Sequence, residues 1–216
     1  MNKQELAKLI DHTLLKPDAK EDDIKKLCEE AIKYKFYSVC INPCYIELAK
    51  NFLKNSDIKI CTVISFPLGA STTTIKIIEA LEAVKIGADE IDMVMNIGMF
   101  KSKKYDYIYE EISSIKKIIK DKILKVIIET AILNDEEKIK ASEIVKKSGA
   151  DFVKTSTGFS QGGATKEDIL LIRKVVGDNF GIKASGGIKS YEQAIELINA
   201  GATRIGSSSS VKIIGE

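Results

Sequence analysis

The chain has 216 residues, 44% of them hydrophobic, with 33 basic and 31 acidic side chains and a net charge of +2. Dispersed, nearly balanced charge leaves no electrostatic footprint for nucleic acid, and no apolar run approaches the length of a membrane span. Four cysteines (Cys28, Cys40, Cys44, Cys61) form no CxxC pair and have one histidine, His12, for company, so neither a structural zinc site nor a multi-imidazole metal enzyme is expected. The opening MNKQELAKLIDHTLLKP lacks a secretory apolar segment, and with reduced thiols this points to a cytoplasmic protein.

From the N-terminus onward, after a short helical segment, strand-like runs alternate with amphipathic helices. Residues 11–15, 38–42, 59–65, 90–96, 124–129, 152–155, 181–185 and 204–207 read as strands. Between the first two, residues 22–35 carry Ile24, Leu27, Cys28, Ala31 and Ile32 at helical spacing. Thr165 with Asp168, and Ser190 with Gln193, read as capping boxes that start later helices. GADEIDMV, GADFVKTS and GATRIGSS repeat one device, a Gly-Ala that ends a helix and runs straight into a strand. Eight such units over residues 1–216 predict one α/β domain, a closed parallel (β/α)8 TIM barrel. An open doubly wound sheet is the alternative, disfavoured by the lack of a GxGxxG after the first strand.

In a barrel, alternate strand residues face inward. In EIDMVMN (90–96), Ile91, Met93 and Met95 suit the helix layer, which turns Glu90, Asp92, Val94 and Asn96 inward. The same parity sends Val153 and Ile182 outward and Lys154 and Lys183 inward. Asp92 and Lys154 each fall five residues after the glycine of their repeat, so they share a depth. Lys154 and Lys183 lie on consecutive strands, about 4.8 Å apart. A single inward lysine is more often a snorkelling or edge residue, and an Asp–Lys contact is often only an ion pair. Two lysines with one aspartate are different, because one carboxylate cannot neutralise two ammonium groups. The excess is relieved if one lysine becomes neutral, with a pKa near roughly 7–8, and a neutral lysine attacks carbonyls to form a Schiff base.

Gly186-Gly187 follow the seventh strand, and Gly206 with four serines follows the eighth, where this fold cradles phosphate. TSTGFSQGGAT adds hydroxyls and glycines after the sixth strand. Cys40 and Asn42 are inward on the second strand and either line the pocket or fill it. His12 is as well explained by a structural role as by a working one.

LIDHTLLKP, SVCINP, VISFPLG, EIDMVMNIG, VIIET, FVKTSTGF, GGAT, KASGGI and GATRIGSSS, in this order and over almost the whole chain, resemble the deoxyribose-phosphate aldolase family. The resemblance implies a metal-free and cofactor-free class I (Schiff-base) lyase of deoxyribose phosphate catabolism. Such an enzyme reversibly cleaves 2-deoxy-D-ribose 5-phosphate to acetaldehyde and D-glyceraldehyde 3-phosphate, with no nucleic acid or membrane partner. It implies Lys154 as the Schiff-base lysine, Lys183 as the lysine that perturbs it, and Asp92 as the general acid/base. Asp11 and Thr157 then lie by the substrate hydroxyls, and Gly158, Gly186, Gly187, Gly206, Ser208 and Ser209 at the phosphate, with Cys40, inward by parity, as a further substrate-side candidate. A homodimer or homotetramer is expected. Departures are Ala131, where many relatives have cysteine, and Ser207 and Ser210, where small residues are usual. A transaldolase-like Schiff-base enzyme and a non-enzymatic phosphate-ligand barrel are the rival readings.

Overall fold

A computed structural model describes residues 1–215. Eight parallel strands pair in chain order: β1 (Ile10–Leu14), β2 (Ser38–Ile41), β3 (Lys59–Ile64), β4 (Glu90–Val94), β5 (Ile123–Ile127), β6 (Phe152–Lys154), β7 (Gly181–Ser185) and β8 (Arg204–Ser207). The last pairs with the first, Asp11 opposite Gly206, which closes the barrel and excludes the open sheet. Before β1 lies α1 (Lys3–Ala7); α2 (Glu21–Tyr34), α3 (Ile46–Leu53) and α4 (Thr73–Ile86) follow β1, β2 and β3. Then α5 (Ile97–Lys101) and α6 (Tyr105–Ile119) follow β4, and α7 (Asp135–Lys147) follows β5. The last three strands are followed by α8 (Lys166–Val176), α9 (Tyr191–Asn199) and α10 (Ser210–Ile213).

Six strands stop one or two residues short of the predicted ends, four of them for local reasons. Asn42 starts a 3₁₀ turn over Pro43–Tyr45, and Asn96 caps α5 by accepting from the Met99 N–H. Ser65 and Glu129 have left-handed φ of 49° and 56°, which a ladder does not accommodate. Helix α2 buries Ile24, Leu27, Cys28 and Ala31, while Ile32, at the edge of that stripe, is exposed. Ser190 and Gln193 form the full reciprocal box, but Thr165 caps α8 alone, because the Asp168 carboxylate turns to Lys138 (2.7 Å).

Two apolar regions result. The larger lies between strands and helices and is built from residues such as Ile91, Met93, Val126, Val153 and Ile182. A small one sits inside the barrel, where Leu15, Cys40, Cys61 and Val63 meet and Phe66 packs over them. Charged side chains, among them Asp11, Glu90, Asp92, Lys125, Lys154, Lys183 and Arg204, are buried beside it. Among the described residues no helix is long and apolar enough to cross a membrane.

Candidate active site

Inward side chains of β1 and of β4 to β8 form a buried ion network. Asp92 stands opposite Lys125 in the β4–β5 register, and Lys154 opposite Lys183 in β6–β7. Asp92 Oδ2 accepts from Lys154 Nζ (2.7 Å) and Lys183 Nζ (2.6 Å); Oδ1 accepts from Lys125 Nζ (2.8 Å) and Cys61 Sγ (3.2 Å). Lys183 also pairs with Asp11 (2.5 Å), and Lys125 with Glu90 (2.6 Å). Deeper still, Arg204 Nη1 donates to Asp11 (2.7 Å) and Glu90 (3.0 Å), its guanidinium 3.5 Å from the centre of the Tyr37 ring. The strand that carries Asp92 is braced from outside. Buried Lys76 of α4 donates to the Val94 carbonyl (2.8 Å) and to Glu111 of α6 (2.9 Å), which accepts the Asn96 N–H (3.3 Å).

The pair of lysines around one aspartate is therefore incomplete as a description. Four cations (Lys125, Lys154, Lys183, Arg204) meet three carboxylates (Asp11, Glu90, Asp92), an excess of one positive charge. Lys125 and Arg204 were missed, although outward Leu124, Val126 and Ile205 turn both inward by the parity that found Lys154. Burial raises the Asp92 pKa, but Lys125, Lys154 and Lys183 outweigh it and hold the carboxyl well below its ordinary range. Asp11 is likewise lowered, with burial overcome by Lys183 and Arg204. Burial pulls Lys183 and Lys125 down, yet the surrounding carboxylates leave both above the usual lysine value. Those two stay charged.

Above the network is a cleft of about 370 Å³ with Lys154 in its wall. Thr157 and Gly158 join from the β6 loop and Gly186 and Gly187 from the β7 loop; Gly206, Ser208 and Ser209 come from the end of β8. Lys16 and Lys189 bring further positive charge to the lining, and neither was singled out in LLKP or GGIKS. Gly158 and Gly187 have φ of 83° and 77° with nothing within 4 Å of an added Cβ, so a side chain there would be strained and would enter the opening. Gly206 serves the network as well as the cleft, since a Cβ would sit 2.8 Å from Lys183 Cε.

Some predicted residues lie elsewhere. Asp11 is fully buried beneath the cleft, bonded to Ser38 (2.7 Å), Arg204 and Lys183, so it meets the site through Lys183 and not at the rim. Cys40 is a wall of the small inner apolar cluster and does not line the cleft. His12 turns outward, its Nε2 2.8 Å from Glu30 and its ring against Phe36, which is a structural setting. Ser207 lines the cleft and Ser210 does not, and both hydroxyls bond to backbone: Ser207 Oγ donates to the Ile188 carbonyl (2.8 Å) and Ser210 Oγ to the Ser207 carbonyl (2.8 Å). They brace the last loop. Ligand atoms of Cys40, Cys61 and Asp92 lie within 4.8 Å of one another, but three lysines already contact Asp92, so a divalent ion there would be strongly repelled.

The model of the DeoC/LacD family aldolases matches residues 6–212. The chain belongs to this family. A relative from Caldanaerobacter subterraneus subsp. tengcongensis, named deoxyribose-phosphate aldolase, is 62% identical over 98% of this chain and 93% of its own. One of the same name from Thermococcus kodakarensis is 56% identical over 99% of this chain and 97% of its own. The solved tetrameric deoxyribose phosphate aldolase from Aeropyrum pernix superposes with a TM-score of 0.92 at 34% identity, covering 99% of this chain and 91% of that one. In this DeoC/LacD aldolase, Lys154 ends β6 and the glycine-lined cleft lies at the C-terminal face of the strands, where (β/α)8 enzymes keep their chemistry, with the charged network running down beneath it.

Proposed function

We propose that this aldolase cleaves 2-deoxy-D-ribose 5-phosphate reversibly through a Schiff base on Lys154. One observation carries the assignment of the nucleophile: of the three lysines converging on Asp92, only Lys154 lines the cleft. It also has the fewest counter-charges, one carboxylate against two for Lys183 and three for Lys125. The neutral amine attacks C1 of the open-chain sugar, and loss of water gives an iminium. The C2–C3 bond then breaks as the C3 hydroxyl loses its proton, and the bond's electron pair becomes the C1=C2 enamine. D-Glyceraldehyde 3-phosphate leaves, C2 is protonated, and hydrolysis releases acetaldehyde and the lysine. Lys183 and Lys125 keep the site positive, Asp92 relays protons, and the glycine and serine loops hold the phosphate so that C1 meets the amine. The chain acts as one barrel unit, and its unpaired cysteines suit the reducing cytoplasm.

Borohydride reduction in the presence of acetaldehyde tests this. The expected result is a two-carbon adduct on the peptide that contains Lys154. An adduct only elsewhere, or none, removes the Schiff-base assignment and favours a ligand-binding barrel; failure with acetaldehyde but success with a ketose phosphate favours a transaldolase-like donor.

Helix α4 supports an oligomer. It buries Lys76, Ala80 and Ala83, while Ile75, Ile78 and Leu81 form an exposed apolar stripe. A second copy of this chain is the proposed cover, in line with the tetrameric relative. Ile78→Glu is expected to shift the protein to monomer in light scattering; an unchanged mass would place the interface elsewhere.

A further inference from the structure

Glu129 is a buried carboxylate that the proposed chemistry does not use. It follows β5 with a left-handed backbone (φ 56°, ψ 67°), which strains a residue that is not glycine. Only 3% of it is exposed. Among the described residues no cation pairs with its carboxylate, and the hydrogen bonds to that carboxylate all come from Thr157. Thr157 Oγ1 donates to Oε2 at 2.5 Å, and the Thr157 N–H lies 3.3 Å from both oxygens. A carboxylate buried without a cation, on a strained backbone, is costly twice over. The residue it holds is a lining residue of the cleft.

The bond to Glu129 also decides what Thr157 does next. Its hydroxyl has one proton, and that proton goes to Glu129, so the oxygen is left to accept from the Phe159 N–H (3.1 Å). This second bond closes the turn around Gly158, whose φ is 83°. The neighbouring Thr130 N–H donates to the Thr155 carbonyl (2.9 Å), tying the same two loops once more. A continuous chain of bonds therefore runs from the end of β5 to the glycine at the cleft rim.

We propose that Glu129 is a positioning residue for the phosphate end of the substrate: through Thr157 it sets the β6 loop in its anion-binding shape. This rests on the reading that the cleft takes a phosphorylated substrate. Neutral Glu129→Gln still accepts from Thr157 and keeps most of the function. Glu129→Ala and Glu129→Gly both lose the acceptor, and the glycine variant relieves the backbone strain.

The readout is kcat/KM for 2-deoxyribose 5-phosphate divided by that for unphosphorylated 2-deoxyribose. In Glu129→Ala and Glu129→Gly this ratio is expected to fall by about tenfold or more, chiefly through KM for the phosphate, with Glu129→Gln within about threefold of wild type. Inorganic phosphate binding, followed by calorimetry, should weaken by a similar factor in the same two variants, a measure independent of turnover. An unchanged ratio in both, or a wild-type ratio in Glu129→Gly alone, overturns the proposal, the second because it assigns the effect to backbone strain. Phosphate binding equal in wild type and Glu129→Ala overturns it too. Failure of wild-type acetaldehyde trapping would instead strike the Schiff-base reading, and phosphate calorimetry would still decide the role of Glu129.

Discussion

Lys154→Met is expected to abolish turnover and leave the barrel as stable as before. Removing the nucleophile should lower kcat/KM on 2-deoxyribose 5-phosphate by at least about four powers of ten, with no borohydride adduct formed. Truncating one partner of a buried ion pair ordinarily costs about 3–5 kcal/mol, because the other charge is left uncompensated. Here the arithmetic differs. Four cations face three carboxylates, and taking away Lys154 leaves three of each. Asp92 retains Lys125 and Lys183, so no carboxylate is orphaned. The unfolding free energy should therefore stay within about 1 kcal/mol of wild type in urea titrations. A loss of 3 kcal/mol or more would make Lys154 a structural counter-ion; residual turnover near the wild-type rate would remove it from the chemistry.

That balance could be read only in part from the sequence. Strand parity turns Asp92, Lys154 and Lys183 inward because each is flanked by residues that suit the helix layer. The same rule applies to Lys125 and Arg204, but Arg204 opens its strand directly after the Gly-Ala-Thr turn, where alternation has only Ile205 on one side to define it. Parity also gives direction without depth. Asp11 is inward as its flanking residues require, but whether it reaches the rim or the floor depends on how the closed barrel staggers its strands. Its partner Arg204 is 193 residues away in the chain and adjacent only because β8 returns to β1. Glu129 shows where the rule stops. Past the last ladder residue the backbone turns left-handed, and no alternation predicts that its carboxylate will find Thr157.

Asp92→Asn should behave in the opposite way to Lys154→Met, losing stability together with activity. The shape of the side chain is kept, but four cations then face two carboxylates, and the amide offers three ammonium groups a single oxygen acceptor. A loss of about 3–5 kcal/mol in unfolding free energy is expected. The pH dependence follows from the direction of the shift. Asp92 titrates well below its ordinary range in the folded chain, since three lysines outweigh the effect of burial. A lowered carboxyl pKa contributes stability that is complete above the unfolded value, about 3.9, and is lost as pH falls through the folded one. The gap between wild type and Asp92→Asn should therefore be level from about pH 7 to pH 5 and narrow only in stronger acid. A gap that closes already above pH 5 would show that some other titrating group carries it. Adding Lys154→Met to Asp92→Asn completes the test. The second substitution, nearly neutral in the wild type, should restore about 1 kcal/mol or more in the variant by removing one of the unbalanced charges. Strict additivity of the two changes would show that Lys154 and Asp92 are not coupled through the network.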